Sequence, residues 1–99
     1  MAVGIIQRFP EGMGAAEYDE SSEKLDPASN PPKGLIFHCA GESEGRFQVF
    51  DVWESREDFD RFVEDRLLPV QKEMMGEEAF AQFPGLDIVD APIHNYFAP

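Results

Sequence analysis

Ninety-nine residues are enough for one hydrophobic core without metal or disulfide staples, and 42% apolar residues is ordinary for a chain that folds. Twenty acidic against eight basic residues leave a net charge of −12, a surface that repels phosphate backbones and anionic lipid, so neither nucleic acid nor membrane is expected as a partner. The single cysteine, Cys39, excludes an internal disulfide.

Ala2–Phe9, "AVGIIQRF", reads as a first strand, rich in β-branched residues and stopped by Pro10 and Gly12. The N-terminal stretch lacks the basic start and long apolar run of a signal peptide, and no segment approaches membrane length, so a cytoplasmic location is expected. Ala15–Leu25 reads as a helix with a thin inner stripe of Ala15, Tyr18, Ser22 and Leu25 and an acidic outer face. Asp26–Gly34, with three prolines and a glycine, is a surface loop.

Leu35–Ala40, "LIFHCA", is a second strand, with Cys39 expected as a small buried hydrophobe. "GESEG" is a turn, and Arg46–Glu54 a third strand, so the two form an antiparallel hairpin. Ser55 is a good N-cap, Asp58 sits where a capping box places its acid, and Phe59, Phe62, Val63 and Leu67 follow at helical spacing. Pro69 predicts a kink, Gly76 a stop near Met75, and "EEAFAQF" a further short turn of helix. The last strand begins near Leu86, with Pro92 at an edge or bulge.

The order is β-α-β-β-α-β, a single ferredoxin-like α+β domain over residues 1–99, with a four-stranded antiparallel sheet and its helices on one face. A hairpin turn centred on Ser43 and Glu44 places His38 across from Val49. One sheet face then carries Leu35, Phe37, Cys39, Phe50 and Val52, the other Ile36, His38, Ala40, Phe47, Val49, Asp51 and Trp53. The all-apolar set is expected under the helices. The mixed set is left to a second copy of the chain, because monomers rarely leave a large apolar patch open.

"GIIQRF", "GLIFHCAG", "VFDVWESREDF" and "PIHNYF" together resemble the dimeric α+β barrel superfamily, and within it the antibiotic biosynthesis monooxygenase-like domains. That resemblance implies a homodimeric α+β barrel and a cavity for a small aromatic or polyketide-like molecule. It also implies a cofactor-free monooxygenase-like enzyme or, in the alternative, a non-catalytic ligand-binding or dimerisation protein. In the quinone-forming members a tryptophan of the "WES" segment lines the cavity with an asparagine on the same strand. Trp53 matches the tryptophan, and Val49 stands in the asparagine's place. The haem-degrading members use a helix histidine, and neither helix here contains one, so no cofactor is expected. "GRFQVF" also resembles an RNA-reading strand, but the charge argues against that use.

His38, Asp51 and Trp53 share a face. A histidine beside a carboxylate in an apolar pocket is a candidate general base, so His38 and Asp51 are the candidate catalytic pair. The bland counterpart is a satisfied polar pair at the dimer interface. Trp53, Val49 and His94 are the candidate substrate-binding residues. His38, His94 and Asp51 lack the spacing of a metal site, and no metal is expected.

Overall fold

The structure, a computed structural model, describes residues 2–83 and 85–97; Met1, Pro84, Ala98 and Pro99, which the one-domain reading includes, lie outside them. In chain order the elements are β1 (Val3–Arg8), α1 (Ala15–Leu25), β2 (Leu35–Ser43), β3 (Arg46–Trp53), α2 (Arg56–Phe62), a π-helical turn (Val63–Leu67), α3 (Leu68–Met75), α4 (Glu77–Gln82) and β4 (Asp87–Pro92). The antiparallel strands lie in the order β2-β3-β1-β4, so β1 and β3 are central, as right-handed crossovers require. Pro92 ends the edge strand β4, which pairs with β1, where its missing N–H is harmless.

The hairpin turn lies one residue further along than expected. Ser43 pairs with Arg46, and Glu44 and Gly45 both take positive φ, the geometry of a two-residue turn whose twist suits the strands. β2 therefore runs on through Gly41–Ser43, and His38 faces Asp51 rather than Val49. The pairing moves by two residues, so no side chain changes face. A bulge between Leu35 and Phe37 does turn one residue over: Leu35 packs on the helix side with Ile5, Trp53 and Phe59.

Which face the helices cover is the reverse of the expectation. They lie over the mixed face, and His38, Val49, Asp51 and Trp53 look toward them. The open face carries a row in register across all four strands: Cys39, Phe50, Ile6 and Val89. Phe37 beside it is 48% exposed, and Cys39 is exposed rather than buried because no helix covers this side.

Two small apolar clusters hold the helices down. Ile5, Trp53 and Phe59 form one, with Phe59 edge-on to Trp53 at 5.7 Å between ring centroids. Phe9, Phe47 and Val49 form the other, with Met13, Tyr18 and Leu86 against them. Ser55 caps α2: its Oγ accepts from the Asp58 N–H at 3.2 Å. Gly34 is required beside that cap. It has φ +89°, its carbonyl accepts from Glu54 N–H at 2.7 Å, and a Cβ there would collide with the Asp58 side chain.

Pro69 does not break the helix. The Leu68 N–H bonds back to the Val63 carbonyl, five residues away, and the π-helical turn takes up the extra residue. α2, the turn and α3 thus make one helical run through the proline. The Arg66 guanidinium reaches the Leu25 carbonyl at 2.7 Å, satisfying an end of α1.

Candidate functional site

Between the two clusters the helix-covered face of the sheet is polar. α1 crosses above it and none of its side chains is fully buried. Its inner stripe is Tyr18, Ser21, Ser22 and Leu25; the two serines are too small to fill the space down to the sheet, and a cavity of about 90 Å³ remains. Leu67, Gln71 and Met74 close it from the other helix, and its lining is overwhelmingly apolar.

His38, Val49, Asp51 and Trp53 all line this cavity. His94 does not: it lies exposed in the segment after β4, so the structure leaves this candidate substrate-binding residue outside the lining. The His38 imidazole is gripped at both nitrogens. Nδ1 lies 2.5 Å from Asp51 Oδ1, and Nε2 lies 2.5 Å from the Tyr18 hydroxyl. The second Asp51 oxygen accepts from the Trp53 indole N–H at 3.3 Å. Asp51 is 3% exposed, and two neighbours on the sheet supply a hydrogen bond to each of its oxygens.

This chain has a direction. A carboxylate accepts only, so Nδ1 carries the proton, and in the neutral ring Nε2 is the acceptor for the Tyr18 O–H. The hydrogen bond that His38 donates to Asp51 is the main cause that raises His38 above its ordinary pKa, with burial opposing it and the carboxylate charge adding to it. Burial is the main cause that raises the Tyr18 phenol, so it stays protonated. The set holds one basic lone pair, on Nε2, at the wall of an apolar chamber.

Tyr18 is the member that helical spacing alone places on the inner stripe of α1 without a role. That spacing aims it at the sheet; recognising its partner requires knowing that His38 lies under α1. Among the described residues no group of three or more His, Cys, Asp or Glu side chains is placed to hold a metal ion.

The α+β fold that carries this site, a four-stranded antiparallel sheet with helices on one face, is shared with several solved structures. Rv0793 from Mycobacterium tuberculosis is similar at TM-score 0.67 and 13% identity, over 99% of this chain and 100% of that one. SnoaB, a cofactor-independent oxygenase from Streptomyces nogalater, is similar at TM-score 0.63 and 14% identity, over 99% and 98%. A putative antibiotic biosynthesis monooxygenase from Nitrosomonas europaea is similar at TM-score 0.63 and 14% identity, over 96% and 100%. No protein-family model matches the chain, and no curated protein does. At such identities the likeness is one of fold.

Proposed function

We propose that this protein is a one-domain, cytoplasmic homodimer whose cavity binds a small aromatic or polyketide-like molecule and removes a proton from it. His38 is the base, Asp51 holds its tautomer, and Trp53 and Val49 form the apolar wall on which the ring lies. The observation that carries this reading is the Tyr18–His38–Asp51 chain, closed at its carboxylate end and open to the cavity at Tyr18 and His38.

Deprotonation of a 9-hydroxyanthracene, the enol of an anthrone, yields an electron-rich anion that dioxygen attacks at carbon. One oxygen atom becomes the new carbonyl and the other leaves as water, so the protein's part is to bind the ring and take the proton. The cofactor-independent oxygenase activity of SnoaB supports this as the reaction class. The test is dioxygen uptake with anthrone. Wild type should raise the rate above the buffer reaction and His38→Ala should return it to that level.

A second reading, a non-catalytic ligand-binding dimer, is favoured by one observation: the Tyr18 hydroxyl already occupies His38 Nε2. Saturable binding of anthrone with no gain in dioxygen uptake would decide for it. Under both readings the second copy covers the open row of Cys39, Phe50, Ile6 and Val89, and Phe37 beside it. Among the described residues no helix is long and apolar enough to cross a membrane.

A further inference from the structure

Gln7 is a polar group in the cavity wall that the Tyr18–His38–Asp51 chain does not use. It lies on β1, is 5% exposed, and has Val49 on one side and Ile88 on the other as strand partners, neither able to bond an amide side chain. Its side chain makes no hydrogen bond among the described residues. Yet no fully enclosed side-chain nitrogen or oxygen among them lacks a partner, so the amide is turned to the cavity space that Gln7 lines. An amide turned to cavity space with no protein partner is free to bond whatever enters that space.

The chemistry of the amide names what it would take. It is neutral, with two donors and one acceptor, so it suits a carbonyl or hydroxyl oxygen rather than a charged group. Its position gives the spacing. On ideal sheet dimensions, His38 lies two strands over and two residues along, about 12 Å away between backbone positions. One oxygen cannot serve both ends of the chamber. We infer that Gln7 is a specificity-determining residue: it binds a second oxygen, remote from the one that meets Tyr18 and His38, on a flat fused-ring substrate. This rests on the cavity's being a site for small aromatics.

The experiment is calorimetric titration of the full chain with 1,5-dihydroxynaphthalene, whose oxygens lie at opposite ends, and with 1-naphthol, which has one. Wild type should prefer the diol by about fivefold, the worth of one ordinary hydrogen bond. Gln7→Leu and Gln7→Met should bind 1-naphthol as wild type does and lose the preference. Their ligand-free melting temperatures should stay at or above that of wild type, because the amide bonds no other side chain or main chain among the described residues. Gln7→Met, unbranched and nearly the same length, keeps the test alive if Gln7→Leu fails to fold. An unchanged preference in a folded variant overturns the role of Gln7 and leaves the aromatic site standing. So does a lower melting temperature with the preference intact, or the failure of both variants to fold, since the amide would then be structural. If neither probe binds wild type, the aromatic site falls and Gln7's role with it.

Discussion

His38 and Asp51 are cross-strand partners on the helix-covered face of the hairpin, and their side chains meet at 2.5 Å. Because the contact is made across backbone pairs rather than by a loop, its geometry is held by the ladder of β2 and β3 on either side. That rigidity is what a positioned base requires.

The same contact fixes the sign of a pH dependence. Hydrogen bonding to Asp51 raises His38 above its usual value of about 6.5. Its stabilisation is therefore complete below about pH 6.5 and is lost as pH rises through the folded value. Denaturation midpoints of wild type should fall across that interval relative to His38→Gln; parallel profiles would show that the pair contributes nothing. Under the proposed role of His38 as a base, turnover would run the other way, because the base must be neutral. The rate should climb through a midpoint above about 6.5, and Asp51→Asn should move that midpoint down.

Stability at the start of α2 rests on two small residues. Ser55→Ala should cost about 1 kcal/mol by loss of the acceptor for Asp58 N–H. Gly34→Ala should cost more, about 1–3 kcal/mol, since it combines a positive φ with a clash on the Asp58 carboxylate. Urea titration measures both, and an order reversed between them would contradict the packing described.

Light scattering after size exclusion should give twice the chain mass. Phe50→Lys, a charge at the centre of the open row, should give the single-chain mass with an unchanged circular dichroism spectrum. A monomeric wild type at micromolar concentration would leave the open face without its proposed cover.

Trp53 is the only tryptophan and lines the cavity, so its emission reports on one place. Addition of 1,4-naphthoquinone should quench it saturably, after correction for absorption with free tryptophan. With 1-naphthol, whose hydroxyl can donate to the neutral His38 Nε2, in place of the quinone, His38→Ala should weaken the apparent affinity by roughly 1–2 kcal/mol. Strictly linear quenching, identical to that of free tryptophan, would mean the ring does not enter.

The strand order, the helix cap and the shared face of His38, Asp51 and Trp53 were all legible in the residues, because each depends on local spacing. The covered side of the sheet was not. Ranking the faces by apolar content sends Phe37, Phe50 and Val52 under the helices, whereas the helices cover Asp51, His38 and Gln7. That rule assumes burial serves only stability. It fails here because the helix-covered face holds polar groups that bond one another, His38 with Asp51 and Tyr18, and Asp51 with Trp53. The π-helical turn was equally hidden: Pro69 announces a disturbance, but whether the helix bends or slips is settled by what lies beneath it.

That turn also sets the phase of everything after it. One surplus residue rotates the following helix by about 100° relative to an uninterrupted ladder. Gln71 and Met74 look into the chamber only because of this offset. Shortening the run by a single residue between Val63 and Leu67 would restore regular bonding and leave Gln71 and Met74 where they stand, because the deleted residue is the one the wide turn absorbs; an unbroken ladder over the full-length run would instead present Val70 and Glu73. The wide turn thus lets the chain carry Pro69 and one surplus residue while keeping this wall of the chamber in phase.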